Sequence, residues 1–149
     1  MNSTQDASLI QCVIECATEV HRRTGPGLFD DAYETCLAIE LERAGLRFER
    51  GRLLRPEYQG RPMDLEFQVD FVIADRLVVE VEAVDRLDTV HEAQLRTYVQ
   101  CGGFPAGITL NFNTVELADG IFRADAHTRP SWISPPEGED VFEDPDLWR

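Results

Sequence analysis

Apolar positions recur at three- and four-residue spacing over residues 8–23, where Leu9, Ile10, Val13, Ile14, Ala17, Val20 and His21 fall on one side of a predicted helix. Gly25-Pro26-Gly27 ends that helix and turns the chain. A second helix is predicted over 30–44, with Tyr33, Cys36, Leu37 and Leu41 as its buried stripe and Gly45 as its stop. The spacing then changes to the alternation of strands over 46–50, 53–58, 65–73 and 77–83, with a turn at Gln59-Gly60-Arg61-Pro62. A third helix spans 89–101. Thr89 and Glu92 are spaced as a capping box, Val90, Leu95 and Val99 face the core, and Gln94 and Tyr98 sit one turn apart on a neighbouring strip. Gly102-Gly103 ends it, 106–112 reads as a core strand and 121–124 as an edge strand. The order helix, helix, β-meander, helix, strand implies an α/β (α+β) domain with helices packed on a mixed sheet.

The stretch Phe67-Gln68-Val69-Asp70-Phe71-Val72-Ile73 and Leu77-Val78-Val79-Glu80-Val81-Glu82-Ala83, joined by Ala74-Asp75-Arg76, carries the first chemical signal. Side chains alternate along a strand. Leu77, Val79, Val81 and Ala83 share one side and Val78, Glu80 and Glu82 the other, while Val69, Phe71 and Ile73 alternate with Gln68, Asp70 and Val72. A three-residue loop sets Ile73 against Leu77 and Asp70 against Glu80. Opposed residues of an antiparallel pair lie about 4.5–5.5 Å apart at Cβ. Two like charges at that distance call for a cation between them, and a divalent ion with oxygen ligands suits two carboxylates.

Composition narrows the class. The 149 residues, 43% hydrophobic, suit one domain with a core, residues 1–124, followed by an acidic, Pro-rich tail, 125–149, which holds Trp132 and Trp148. No apolar run approaches the ~20 residues that cross a bilayer, and the N-terminus lacks the pattern of a signal peptide. A cytoplasmic protein is expected, with Cys12, Cys16, Cys36 and Cys101 as reduced thiols. Cys12 and Cys16 lack the partners of a metal site, and His21, beside Arg22 and Arg23 in a last helical turn, reads as a capping or packing residue.

Net charge is −14, which opposes nucleic-acid binding at long range. It is unevenly spread. Six arginines, Arg43, Arg47, Arg50, Arg52, Arg55 and Arg61, face only Glu49 and Glu57, a local net of +4, whereas 125–149 has a net of −5. These are either a basic groove for nucleic acid and an acidic tail for a protein partner, or two solvated surfaces. The chain contains no lysine.

Gly27-Leu28-Phe29-Asp30-Asp31-Ala32-Tyr33 resembles the signature of the GxxExxY proteins, with Asp30 where that name has Glu, and EVHRRTGPG, YETCLAIEL, HEAQLRTYV and LNFN also resemble that family from about Ile10 to Ile121. The resemblance implies a restriction-endonuclease-like core of the PD-(D/E)XK nuclease-like superfamily. It makes Asp70 and Glu80 the ligands of Mg²⁺ (or Mn²⁺), with the Val81 carbonyl a third. Glu82 stands where Lys is usual. Asp30, with Glu34 as second choice, matches the acid of the first core helix, and Gln94 and Tyr98 match a supporting QxxxY pattern.

Such chemistry needs an activated water and charge neutralisation at a phosphodiester. Glu82 can accept a proton but brings no positive charge, and an arginine such as Arg86 or Arg96 can stabilise an anion but is a poor base. Three readings stay open: a metal-dependent nuclease with Glu82 as base or extra ligand, a degenerate nuclease fold that binds nucleic acid or protein, and a regulatory partner with an acidic docking surface.

Overall fold

The computed structural model describes residues 3–126. The expected tail, with Trp132 and Trp148, lies outside the described residues apart from its first two positions. No helix among the described residues is long and apolar enough to cross a membrane, and the four cysteines are free thiols.

The first periodic stretch begins earlier than its apolar stripe and forms α1 (Ser3–Thr24). Ile10, Val13, Cys16, Ala17 and Val20 are buried, so Cys16 joins the stripe, while Leu9 and Ile14 are half-buried beside it. His21 packs as expected, its Nε2 lying 2.7 Å from the Thr114 carbonyl oxygen. The second helix, α2 (Asp30–Arg43), buries Tyr33, Leu37, Ala38 and Leu41. The Tyr33 ring stacks on Phe112 with centroids 4.7 Å apart. Its hydroxyl donates to the Gly25 carbonyl at 2.6 Å and accepts from the Leu28 amide at 3.1 Å, which ties the loop entering α2.

The strands are shorter and more broken than alternation suggests: β1 (Phe48–Arg50), β2 (Leu53–Leu54), β3 (Glu57–Tyr58), β4 (Arg61–Pro62), β5 (Phe67–Gln68) and β6 (Phe71–Ile73). They nevertheless form one long antiparallel ribbon. Arg50 pairs with Phe71, the Gly51 amide donates to Asp70 O at 3.1 Å, the Val69 amide donates to Arg52 O at 3.0 Å, and Leu53 pairs with Gln68. The register therefore runs on through the gap between β1–β6 and β2–β5. At the tip only Gln59 and Gly60 are turn residues; both have positive φ, 50° and 78°, as a two-residue hairpin of primed type requires. Arg61 and Pro62, expected in that turn, belong to β4 instead.

After the predicted loop Ala74-Asp75-Arg76 come β7 (Leu77–Glu82), α3 (Thr89–Gly102), β8 (Ala106–Asn111), a short 3₁₀ turn (Leu117–Gly120) and β9 (Ile121–Asp125). The main sheet has the order β1-β6-β7-β8-β9. β7 and β8 are parallel, joined by the α3 crossover, and the other neighbours are antiparallel. This mixed sheet with three helices is the α+β architecture the pattern of elements implies.

The sheet separates two cores. Phe71, Ile73, Leu77, Val79, Val81, Ile108 and Leu110 pack beneath α1 and α2. Val72, Val78, Leu95, Tyr98 and Val99 pack beneath α3. Val69 lies in the α3 core, not with Phe71 and Ile73 as strict alternation predicts, because the backbone bends at Asp70. Gly107 lets α3 approach the sheet closely: a Cβ there would meet Val99 Cγ2 at 2.7 Å and Leu95 Cδ1 at 2.8 Å. Two expectations for α3 fail together. Its N-cap is Asp88, whose carboxylate accepts from the Val90 and His91 amides while His91 Nδ1 accepts from the Asp88 amide, so the box is Asp88–His91 rather than Thr89–Glu92. That offset turns Val90 outward, where it is 73% exposed.

Candidate functional site

The tight loop after β6 fixes the register. Ile73 pairs with Leu77, Val72 with Val78 and Phe71 with Val79. One step further the ladder opens at Asp70, and side chains replace backbone partners. The Glu80 carboxylate accepts from the Asp70 amide at 3.0 Å, and Asp70 Oδ2 accepts from the Val81 amide at 2.8 Å. In an extended strand a residue's N–H and C=O face the same neighbour, so the Val81 carbonyl also points toward the Asp70 side. The pair predicted from alternation is thus brought together.

Helix α2 adds a third acid. The Glu34 side chain reaches Asp70, so the Asp70 carboxyl stands in hydrogen-bonding reach of both Glu34 and Glu80. Burial, and then the Asp70 charge, push Glu80 up to about 9. Burial, then Asp70, push Glu34 up to about 7, with Arg50 opposing. Asp70 is also raised by burial, against the stabilising Val81 amide. Glu82 is raised by burial and by the charges of Asp70 and Asp30, and His91 opposes the rise. Asp30, exposed at the start of α2, accepts from the Asp31 amide at 2.9 Å and adds its charge to the cluster. Tyr98 lies on the other flank, its ring 5.5 Å from that of Phe67. Burial, then Glu80, Asp70 and Glu82, hold its hydroxyl protonated up to about 12. Gln94, expected beside it, is exposed one turn earlier.

Among the described residues no three His, Cys, Asp or Glu side chains converge on one point that would hold a metal ion. Of the three central acids, Asp70 acts on both Glu34 and Glu80. In kind the set still fits a hard divalent ion, since all its donors are oxygens and its charges repel one another. Thr109, paired with Glu80 in the parallel register, has a buried hydroxyl with no hydrogen-bond partner among the described residues.

A family model of the PD-(D/E)XK nuclease superfamily matches residues 7–124. The chain belongs to that superfamily. This PD-(D/E)XK domain covers α1 to β9, so the protein is nuclease-like, and nucleases of this superfamily typically use Mg²⁺ or Mn²⁺. No curated protein and no solved structure gives a significant match.

Of two charged groups near the PD-(D/E)XK acids, His91 was not singled out from the sequence, and Arg50 was singled out only as one of the six arginines of the basic segment. His91 acts on Glu82 and Arg50 on Glu34. His91 was legible only as the third residue after an Asp cap, and the place of Arg50 beside the acids follows from its cross-strand pairing with Phe71. Arg86 and Arg96, expected to supply positive charge, are not among the groups that act on the acids. The Arg96 guanidinium lies 5.1 Å from the Phe122 ring centroid, over β9, and Arg86 is exposed before α3. A cavity of about 580 Å³ on the ribbon is lined by Arg55, Met63 and Leu65 among others, and by none of Glu34, Asp70, Glu80 and Glu82.

Proposed function

We propose that this protein is a metal-dependent nuclease of the GxxExxY type that hydrolyses phosphodiesters in DNA, with its centre at Asp70 and Glu80. The observation that carries the reading is the reciprocal clasp of these two acids, each accepting from the other's strand at 3.0 and 2.8 Å where the ladder opens. Three connected, half- to fully buried acids without a cation are costly, and a bound Mg²⁺ or Mn²⁺ would remove that cost. Asp70, Glu80 and the Val81 carbonyl would hold the ion, with Glu34 and Asp30 on α2 completing its outer surroundings. When bound, the ion would supply Lewis-acid activation of water and neutralise charge at the phosphate.

The chain's own residues would do the rest. Glu82, raised by burial, would accept the proton released by the attacking water. Tyr98, protonated at neutral pH, would donate a hydrogen bond toward the acids and hold their orientation. Gln94 would meet the substrate at the exposed rim. Arg43, Arg47, Arg50, Arg52, Arg55 and Arg61 would carry the phosphate backbone along the ribbon and its base.

The Glu82 substitution favours a second reading, in which the fold binds nucleic acid, or a protein through the acidic tail, and cuts nothing. Mg²⁺ or Mn²⁺ titration separates the two. Under the first reading the ion raises the thermal midpoint of the wild type, by about 2.7 kcal/mol of stability at a hundredfold excess over Kd, and Asp70→Ala abolishes the gain. A wild type whose melting ignores both ions leaves only the binding role.

A further inference from the structure

A chain without lysine, with an acid at the usual lysine position, has an anionic centre and no evident anchor for an anionic substrate. Most described arginines are already committed. Arg22 and Arg23 pair with Glu19, Arg43 with Glu40, Arg52 with Glu49 and Asp75, Arg55 with Glu66, and Arg76 with Asp6. The Arg96 guanidinium is turned to Phe122.

Arg50 is placed differently. It pairs across the ribbon with Phe71, the residue after Asp70, and its own neighbour Gly51 donates to Asp70 O at 3.1 Å. Its guanidinium lies 5.5 Å from the centroid of the Phe71 ring. Phe71 belongs to the core beneath α1 and α2, so this contact puts the charge on the α2 side of the sheet, the side from which Glu34 reaches Asp70. Arg50 makes no ion pair among the described residues and is exposed, so its donors face solvent at the edge of the acid cluster. A guanidinium backed by an aromatic ring keeps its planar fork of N–H donors directed outward, the arrangement that receives two phosphate oxygens.

We propose that Arg50 is the phosphate anchor of the site: the ribbon, not the β7 position held by Glu82, supplies the cation that fixes the scissile phosphodiester against Asp70 and Glu80. This rests on the nuclease reading and makes the substrate a nucleic-acid strand whose backbone crosses the base of the ribbon between β1 and α2. Arg52 and Arg55, held in ion pairs, contribute less, and Arg61 at the ribbon tip acts only as a distant charge.

The test is binding of a short fluorescein-labelled DNA, single-stranded and duplex, in Ca²⁺, over a range of salt. Wild type should bind, and Arg50→Ala should weaken binding about tenfold or more and lower the salt slope by about one. Arg50→Lys should recover part of the loss. Arg61→Ala should cost much less. In an Asp70→Ala background, Arg50→Ala should add little, because both act at one phosphate. The Mg²⁺-linked rise in melting temperature should persist in Arg50→Ala, which also shows that the variant folds. Binding by Arg50→Ala within twofold of wild type, an equal loss from Arg61→Ala, or no DNA binding by wild type overturns the assignment. A wild type without a metal-linked shift defeats the nuclease reading; a normal shift with Arg50-independent binding defeats the anchor alone.

Discussion

Glu80 is 6% exposed, and its carboxyl is held up to about 9, first by burial and then by Asp70. An acid whose folded pKa exceeds its unfolded value binds more protons in the native state, so stability falls as pH rises through that interval. The relevant window runs from 4.5, the ordinary value, to about 9. In metal-free buffer the midpoint should therefore drop between pH 5 and pH 9, a loss on the order of a few kcal/mol, and Glu80→Gln should flatten the curve. Circular-dichroism melts in EDTA read this directly, and a midpoint that holds or climbs across the window rules it out. Carboxylates held low by hydrogen-bonded arginines, such as Asp6 and Glu49, contribute mainly at acid pH and do not mask the effect. At this scale the sequence was informative where spacing decides geometry. Asp70 and Glu80 met because a three-residue loop fixes both. Glu34 was a second choice because a helix face alone does not say which acid leans over the sheet.

Elements were legible in kind and less so at their ends. All three helices lie where the apolar periodicity put them, since that periodicity is what the two cores bury. The ribbon was harder. Its strands are cut by Gly51–Arg52 and Val69–Asp70, where pairing continues through single backbone bonds, and a bend there sends Val69 to the face opposite Phe71. Alternation cannot reveal such a bend. The cap of α3 was misplaced by one residue because Asp88 and Thr89 both suit an N-cap, and the Asp carboxylate wins the amides of Val90 and His91. Asp88→Ala should cost about 1 kcal/mol of stability and remove the carboxylate beside the His91 ring while leaving the backbone amide that Nδ1 accepts from, which NMR of the His91 ring and a denaturant midpoint would register. An unchanged midpoint would show that the cap contributes nothing.

Across the whole molecule the −14 charge and the nuclease-like fold pull in opposite directions. The arginine-rich segment answers part of that conflict locally. Most of its excess, though, is spent on neighbouring carboxylates, a fact composition could not show and the ion pairs do. The layered arrangement also links places that look unrelated in the chain. Tyr98 hangs from α3, while the acids that raise its hydroxyl sit on β7 and beside β6.

The missing side chain at Gly107 therefore acts as a shim left out of the assembly. Inserting a methyl group by Gly107→Ala would jack Leu95 and Val99 off the sheet, costing roughly 1–3 kcal/mol, and lift the phenol away from its anionic neighbours. Ultraviolet titration should then find Tyr98 ionising closer to an ordinary tyrosine, and thermal melting should find a looser protein: a hydrogen atom beneath one helix would be setting the standoff of a side chain from the carboxylates on the next layer.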